Sequence, residues 1–132
     1  MRDLIPDSHK DLFAKKAFGN LATLMPDGSP QVTPVWVDYG NGYVLVNSAR
    51  GRQKDRNMRT RPRVALSMQD PDDPYRYLAV RGAVVETSER GADQHIDKLA
   101  KKYLGVDKYP DREEGEVRVI YRIKPEKVVA AD

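Results

Sequence analysis

The stretch QVTPVWVDYGNGYVLVNS (residues 31–48) carries the strongest fold signal in the chain. Residues 31–39 are rich in β-branched and aromatic side chains, and the pattern resumes over residues 41–48 after a Gly-Asn-Gly turn. This order predicts a β-hairpin. Pro34 interrupts the first strand. Because proline has no N–H group for a ladder, we expect a sheet edge or a bulge there, with backbone groups free to bond a flat polar ligand.

Further strand-like segments flank this hairpin on both sides. One lies over residues 19–25, and three follow the hairpin, at residues 63–69, 75–88 and 116–123. Gly82, inside the longest segment, is expected at a bulge or a barrel corner. Together with the two hairpin strands, these segments make six predicted strands.

Helical patterns are fewer. A short helix is predicted over residues 6–17, a helix or turn over residues 51–62, and a longer helix over residues 89–104, where apolar side chains recur at helical spacing. Gly105 is placed to end the longer helix. Strands joined by short turns and covered by few helices predict a mainly β fold, a closed or nearly closed antiparallel barrel that forms one domain over residues 1–132.

Composition excludes several classes of protein. The 132 residues include no cysteine and only two histidines, His9 and His95, which excludes disulfides, thiolate metal sites and a multi-histidine centre within one chain. Both histidines lie in predicted helices, and we expect them at the surface. No apolar run approaches the roughly 18 residues of a membrane helix. The N-terminus lacks the apolar core of a signal peptide, so a cytoplasmic location is expected.

Positive charge is concentrated in one segment, residues 50–63. It holds seven basic residues and one acid, Asp55, a charge of +6, whereas the rest of the chain carries 16 basic and 19 acidic side chains, a charge of −3. The net charge of +3 therefore belongs to a mildly acidic protein with one basic segment. Such a concentrated local field attracts an anion to one particular place.

The basic segment has little apolar surface with which to pack on the rest of the protein. Met58 is its only large apolar side chain. We therefore expect an anion at the N-terminal end of this helix, where backbone N–H groups are unpaired, to hold it in place. Arg52 offers a planar fork and Lys54 a compact charge, a combination that suits phosphate oxygens. The alternative is a solvated charged surface.

Two aromatic features complete the pattern. Trp36, the only tryptophan, is expected in the core or at an interface. Tyr75, Arg76 and Tyr77 form a cluster that suits either stacking on a ring system or a subunit contact. The sequence contains no nucleophile elbow, zinc-protease helix or P-loop. No catalytic residue is therefore assigned, and any chemistry is expected from a cofactor.

Three segments together resemble a known superfamily. They are GSPQVTPVWVDY (28–39), VNSARGRQKDRNMRTRPRVALSM (46–68) and PYRYLAVRGAVVE (74–86). They are similar to the pyridoxamine 5′-phosphate oxidase-like split β-barrel superfamily, and in particular to its branch of deazaflavin (coenzyme F420)-dependent reductases. The likeness extends over nearly the whole chain. It includes an R-x-K-x-x-N core formed by Arg52, Lys54 and Asn57.

The resemblance implies a fold, an assembly and a site. The fold is a six-stranded antiparallel split β-barrel of the FMN-binding type, and the assembly is a homodimer with two cofactor sites along the subunit interface. The ring is expected against residues 32–36, and residues 75–77 are expected to approach from the partner chain. The residues expected to hold the phosphate are Asn47, Ser48, Arg52 and Lys54. The complete set of expected cofactor-binding residues is Val32, Thr33, Pro34, Val35, Trp36, Asn47, Ser48, Ala49, Arg50, Arg52, Gln53, Lys54, Asn57, Tyr75, Arg76 and Tyr77.

Two observations bear on the cofactor and the reaction. Pyridoxamine phosphate oxidases carry an arginine-bearing C-terminal segment that grips the vitamer phosphate, whereas this chain has no arginine after Arg122, which does not favour vitamer oxidation. Coenzyme F420 carries a phosphodiester and a glutamate tail, and the basic residues spread over 50–56 suit that longer polyanion. We therefore expect an F420-dependent oxidoreductase that transfers a hydride to a small organic acceptor and holds no metal.

Other functions stay open at this point. An FMN-binding oxidoreductase of the same fold is the principal alternative, because sister branches of the superfamily bind FMN. A nucleic-acid-binding barrel is a second, since a basic strip with nearby aromatic side chains on a small barrel is typical of such modules. A carrier that binds the cofactor without turnover is a third. Our expectation is a protein without a nucleic-acid or membrane partner.

Overall fold

The computed structural model of the protein describes residues 3–132, and in them it shows one 3-10 helix, two α-helices and seven strands. In chain order they are the 3-10 helix Asp7–Phe13, β1 Gly19–Leu24, β2 Pro30–Val35, β3 Val37–Gly40, β4 Tyr43–Ala49, α1 Gln53–Thr60, β5 Arg63–Asp70, β6 Asp73–Ser88, α2 Ala92–Leu104 and β7 Arg118–Ala131. None of the helices in this part of the chain has the length and apolar character needed to cross a membrane.

All the strands belong to one antiparallel sheet, whose spatial order is β2-β1-β5-β6-β7-β4-β3. β2 and β3 are therefore its two edges, although only Trp36 separates them in sequence. Because consecutive Cα atoms are about 3.8 Å apart, two edges linked through one residue must converge there. The sheet thus curls into a barrel that is split at Trp36, and the predicted mainly β split barrel is confirmed.

The structure has seven strands where the sequence predicted six. The first predicted hairpin strand is divided at Trp36, since Val35 pairs with β1 and Val37 pairs with β4. Its second half forms the predicted hairpin with β4. Asn41 and Gly42 close that hairpin with φ values of 54° and 84°, the positive angles that a two-residue hairpin turn favours. The division arises because the two halves pair with two different strands that are distant in sequence. Local β propensity carries no information about that pairing.

The core lies inside the curled sheet and is built from alternate residues of the strands. Val44 of β4 and Tyr121 of β7 are both fully buried there. The predicted bulge at Gly82 is confirmed, because the register of β6 against β7 shifts immediately before this residue. A Cβ atom at Gly82 would lie 2.1 Å from the Lys124 carbonyl oxygen, so the two backbones approach too closely for any other residue.

Buried polar side chains hold α1 on the barrel. The Asp55 carboxylate accepts a hydrogen bond from the Tyr121 hydroxyl and another, at 3.0 Å, from the Gly51 N–H group. The Asn57 amide, which is fully buried, donates to the Thr23 hydroxyl at 3.0 Å. These bonds hold α1 without an anion, while an anion at its N-terminal end stays a prediction. Carboxylate and amide side chains are taken for surface residues in a sequence, because the contacts that bury them are distant.

α2 packs on the outside of the barrel and ends at Gly105, whose φ is 74°, as predicted. The Tyr103 hydroxyl donates to the Ala17 carbonyl oxygen at 2.7 Å and accepts from the Val37 N–H group at 3.0 Å. These bonds place α2 beside the break at Trp36. The predicted leading helix is present as a shorter 3-10 helix.

Candidate anion-binding site

A cavity of about 190 Å³ opens beside the break between β2 and β3. β2, β4, α1, α2 and the segment before β7 all contribute to its wall. Its lining residues are Phe18, Pro34, Val35, Trp36, Asn47, Arg52, Lys54, Ile96, Tyr109, Asp111 and Arg118. The break that divides the predicted strand thus also creates the mouth of this cavity.

Six of the residues predicted to bind a cofactor line this one cavity. They come from three separate segments, namely the edge strand β2 with the break after it, the end of β4 and the start of α1. They are Pro34, Val35, Trp36, Asn47, Arg52 and Lys54. The curl of the sheet brings the edge strand next to the basic segment, although the two are far apart in sequence.

The other ten predicted residues do not line this cavity. Ser48 follows Asn47 on β4, so its side chain points to the opposite face of the strand, where it is buried. Asn57 is fully buried and anchors α1. The remaining eight are Val32, Thr33, Ala49, Arg50, Gln53, Tyr75, Arg76 and Tyr77.

Trp36 gives the cavity a flat apolar wall. Its indole stacks on the Tyr103 ring with centroids 5.2 Å apart and planes 5° apart, and the Tyr109 ring meets it edge-on at 5.9 Å. Pro34, two residues earlier, lies on an edge strand, as its missing N–H group predicted. Because the indole is packed by two other rings, this wall is formed before any ligand binds.

Three cationic side chains, Arg52, Lys54 and Arg118, line the cavity. We call them the cavity cations. In the part of the chain that the structure describes, neither the Lys54 amine nor the Arg52 guanidinium makes a hydrogen bond or an ion pair. Burial lowers the pKa of Lys54, and the charges of Arg52 and Arg118 lower it further. Positive charge at the cavity therefore exceeds negative charge, and a bound anion would relieve the repulsion.

Arg118 is the cavity cation that the sequence did not reveal. It is 4% exposed, its Nε donates to Asn47 Oδ1 at 2.9 Å, and its Nη1 pairs with Glu116. Its guanidinium carbon lies 5.1 Å from the centre of the Tyr109 ring. Because Arg118 alternates with the apolar Val119 on β7, the period-two pattern indicates a solvent-facing residue. Distant contacts bury it instead.

His9 is buried and His95 is half-buried, so the expectation that both lie at the surface is wrong. His9 is 2% exposed, and its Nε2 lies 3.0 Å from the Ala131 carbonyl oxygen. The His95 side chain is 9% exposed and contacts the side chains of Asp38 and Asn47. One feature of the sequence does indicate the position of His95, since this residue borders the apolar face of α2. Among residues 3–132, no three or more histidine, aspartate or glutamate side chains are arranged to hold a metal ion.

A groove of about 350 Å³ adjoins the cavity, and Arg52 lines both. Arg50 and Gly51 complete its basic wall, and residues 113–116, Glu-Glu-Gly-Glu, form the opposite wall. Arg50 is itself paired with Glu89. An anionic chain that leaves the cavity along this groove would therefore meet attraction on one side and repulsion on the other.

The aromatic cluster at the start of β6 lies outside the cavity. Tyr75 is 82% exposed. The Arg76 guanidinium is engaged within its own chain, since it donates to Asp11 at 2.7 Å and to Asp70 at 2.9 Å. Within one chain, residues 75–77 therefore do not meet the cavity cations.

Solved structures with the same fold include one protein whose name is informative. It is called F420 Reductase, is 33% identical, superposes with a TM-score of 0.82, and the match covers 95% of this chain and 98% of that one. The conserved hypothetical protein Rv2991 from Mycobacterium tuberculosis is 23% identical over 100% of this chain and 88% of its own, with a TM-score of 0.73. HutZ, the heme storage protein from Vibrio cholerae, is 16% identical over 99% and 96%, with a TM-score of 0.68. At these lower identities the last two show a shared fold alone.

No curated protein sequence matches the chain. The family model described as pyridoxamine 5′-phosphate oxidase, however, matches residues 5–131, which is nearly the whole chain. Together with the similarity to the structure called F420 Reductase, this match confirms the superfamily resemblance found in the sequence. The chain belongs to the pyridoxamine 5′-phosphate oxidase family.

Proposed function

We propose that the protein is an F420-dependent oxidoreductase that holds the anionic end of its cofactor with the cavity cations. The observation that carries this proposal is Lys54, a half-buried amine with no counter-ion among residues 3–132, whose pKa is lowered by burial and by its two arginine neighbours. Structural lysines are normally solvated or paired. A phosphate placed among the three cations would supply the missing charge and accept charge-assisted hydrogen bonds.

The size of the cavity supports a site shared between two copies of the chain. Its volume of about 190 Å³ lies below the roughly 300–1,000 Å³ of typical small-molecule sites. One chain therefore encloses the phosphate end of a flavin-sized ligand and leaves the remainder at its surface. Tyr75, 82% exposed, and Tyr77 are rings of the kind that a second copy would lay against that remainder. We accordingly propose a homodimer. In this proposal Arg76 does not contact the cofactor, because Asp11 and Asp70 already hold its guanidinium group.

F420 is favoured over FMN by one observation, the similarity to a protein called F420 Reductase at 33% identity. The groove beyond Arg52 gives an anionic tail room to continue past the cavity, but basic residues form one wall and acidic residues the other, so the groove does not itself select between the two cofactors. FMN is the second candidate, because the three cavity cations meet at one place and are sufficient for a single terminal phosphate.

The chain's own residues would bind and orient the cofactor. The bound cofactor would supply the ring carbon that donates or accepts the hydride. Arg52, Lys54 and Arg118 would fix its anionic end, and the rigid wall at Trp36 together with the exposed edge of β2 at Pro34 would fix the plane of the ring and exclude water from one face. The small organic acceptor would approach from the opposite, open side.

A side-by-side titration tests this function. Purified protein is added to F420 and to FMN, and the fluorescence of each is followed, with hydride transfer from reduced F420 to candidate acceptors measured in parallel. We expect quenching with tighter binding of F420. Tighter binding of FMN would identify FMN, and not F420, as the cofactor. Binding of neither cofactor, combined with a salt-sensitive affinity for single-stranded nucleic acid, would reject both.

A further inference from the structure

A chain of hydrogen bonds connects the cavity to the half-buried carboxylate of Asp38 beside α2. Arg118 Nε donates to Asn47 Oδ1 at 2.9 Å. Asn47 Nδ2 lies 2.9 Å from the Ala92 carbonyl oxygen and 3.1 Å from His95 Nδ1. His95 Nε2 in turn lies 3.0 Å from Asp38 Oδ2. Each of these groups is at hydrogen-bonding distance from the next.

The donors and acceptors along this chain can be arranged in only one way. Asp38 is ionised, because burial raises its pKa but hydrogen bonds from His95, the Tyr39 N–H group and Lys98 outweigh burial and hold that pKa well below its usual range. A carboxylate only accepts, so His95 Nε2 must carry a hydrogen. At the other end of the chain the Arg118 guanidinium only donates.

The orientation of the Asn47 amide is fixed by its neighbours as well. Its oxygen must face the Arg118 N–H group, and its two N–H bonds must face the Ala92 carbonyl oxygen and His95 Nδ1. His95 Nδ1 therefore has to accept. The only protonation state that satisfies every contact is the neutral imidazole with its hydrogen on Nε2.

The chain leads to a free donor at the cavity. Asn47 and Arg118 both line the cavity. Arg118 uses Nε on Asn47 and Nη1 on Glu116, and within residues 3–132 its Nη2 makes no hydrogen bond. Because the guanidinium group is planar, fixing Nε and Nη1 also fixes the direction in which Nη2 points. By holding the Asn47 amide, the acceptor at His95 Nδ1 thereby fixes the orientation of the Arg118 guanidinium group.

We propose that His95 is a positioning residue whose neutral ring holds Asn47, and through it Arg118, in the orientation that binds the anionic end of the ligand, so that protonation of His95 weakens binding. This rests on the proposed function of the cavity. A protonated ring would present N–H at Nδ1 to the N–H of Asn47. Rotating the amide by 180° would instead set its oxygen against the Ala92 carbonyl and its N–H group against Arg118, so neither orientation satisfies all neighbours.

The surroundings of His95 and its hydrogen-bond partners include charged groups from three elements. They are Asp38 on β3, Lys98 on α2 and Arg118 on β7. A charged ring would also attract an anion through space. If protonation of His95 acts by misorienting Asn47 and Arg118, affinity for the anion falls as the pH is lowered. If it acts by adding positive charge, affinity rises as the pH is lowered, so the sign of the pH dependence distinguishes the two mechanisms.

A matched pair of substitutions separates the two nitrogens of the ring. His95→Asn places an oxygen near the position of Nδ1 and keeps the acceptor for Asn47. His95→Gln places an amide nitrogen near the position of Nε2 and keeps only the donor to Asp38. For F420, we expect about a fivefold to tenfold weaker Kd in His95→Gln, the effect of one lost hydrogen bond, and less than about a twofold change in His95→Asn. Lys101→Ala, an exposed change on the same helix, serves as the control with unchanged Kd.

The pH profile supplies a second readout. Between about pH 7.5 and 5.5, where imidazole side chains titrate, the wild type should lose affinity several-fold more than His95→Asn. Because both proteins meet the same ligand, the ligand's own ionisation cancels in the comparison. An affinity that rises on acidification relative to His95→Asn would overturn the proposal, as would His95→Gln binding like the wild type.

The state of the ring is measured without any cofactor. Nitrogen NMR of the His95 imidazole in the ligand-free protein should show a protonated Nε2 and an unprotonated Nδ1, and titration with inorganic pyrophosphate should shift the Arg118 side-chain signals less in His95→Gln. These results together with no binding of F420 or FMN would reject the proposed function and keep the positioning role. The opposite tautomer together with normal cofactor binding would reject the positioning role alone.

Discussion

Two groups of ionic side chains in this molecule are built in opposite ways. In the first group, Arg76 donates to Asp11 at 2.7 Å and to Asp70 at 2.9 Å, and Lys15 lies 3.0 Å from Asp70. We call these four residues the ionic clamp. It ties the 3-10 helix to β5 and β6, and each of its cations has a carboxylate partner. The cavity cations include a lysine and an arginine that have no carboxylate partner within the described part of the chain.

The pKa shifts follow this difference. In the ionic clamp, hydrogen bonds from the Asp72 N–H group and from Lys15 lower the pKa of Asp70 to about 2, and the bonds of Lys15 to Asp70 and Asp72 raise the pKa of that lysine. In the cavity, burial and like charges lower the pKa of Lys54. The paired charges of the ionic clamp stabilise the fold by themselves, whereas the cavity cations stabilise it only when an anionic ligand is bound.

The largest expected effect comes from Arg118→Met, which should lower both the stability of the fold and the affinity for the cofactor. Removal of the guanidinium leaves Glu116 without its partner and Asn47 with an unpaired oxygen, and we expect a loss of about 3–5 kcal/mol in the free energy of unfolding, typical of a buried pair that loses one partner. Cofactor affinity should fall as well. Urea unfolding and a fluorescence titration measure the two effects. Wild-type values in both would remove Arg118 from the site.

Lys54→Met should separate binding from stability. We expect cofactor binding weaker by about 1–3 kcal/mol, the worth of a hydrogen bond to a charged group. The ligand-free protein should be as stable as the wild type or more stable by a few tenths of a kcal/mol, because a like-charge repulsion disappears. The change Lys101→Met, at an exposed lysine on α2, is the matched control and should alter neither quantity.

The pH dependence of that stability gain has a definite sign. Because the folded pKa of Lys54 lies below the unfolded value of 10.5, the protonated amine destabilises the fold fully below the folded pKa, and this destabilisation falls as the pH rises from the folded pKa towards 10.5. The stability difference between Lys54→Met and the wild type should therefore narrow between neutral and alkaline pH. A difference that widens would contradict the assignment of Lys54 as an unpaired cation.

Arg76→Met should show the reverse behaviour. We expect Tm to fall by several degrees, because Asp11 and Asp70 lose their shared partner, while cofactor affinity stays the same. Since the pKa of Asp70 is depressed from 3.8 to about 2, the ionic clamp stabilises the wild type above the unfolded pKa, and this stabilisation is lost as the pH falls towards 2. Thermal melts at pH 7 and pH 3 should therefore differ less in the variant than in the wild type. Lost cofactor affinity would return Arg76 to the site.

The smallest expected effect concerns the acidic wall of the groove. Neutralising it with Glu113→Gln and Glu114→Gln should tighten binding of an anionic tail by about 0.2–1 kcal/mol at low salt, since exposed charges interact weakly. The gain should disappear near 1 M salt, where the screening length is about 3 Å. A tail-free deazaflavin should bind both proteins equally, and a gain for that ligand would place the effect elsewhere.

The sequence predicted the parts of the molecule that depend on neighbours in the chain. The turn at Asn41 and Gly42 and the helix ended by Gly105 rest on local backbone preferences, and both appear in the structure. The basic start of α1 was also evident, since Arg52 and Lys54 both reach the cavity. These are features in which one short segment carries all the necessary information.

What the sequence did not predict depends on distant contacts. The division of a strand at Trp36 requires pairing with β1 on one side and β4 on the other. Arg118 and His95 have the sequence patterns of surface residues, and only the docking of α2 and of the segment before β7 buries Arg118 and half-buries His95 beside Asn47. Polar side chains are informative about a site only after the fold has shown which of them are enclosed.

A crystal structure of the protein with F420 tests the central claim most directly. We expect phosphate oxygens within about 3 Å of Lys54 Nζ and Arg118 Nη2, the distance of a charge-assisted hydrogen bond, with the ring against Trp36. A phosphate bound instead on the outer face of α1, among Arg56 and Arg59, with Lys54 still free of any partner, would contradict the account.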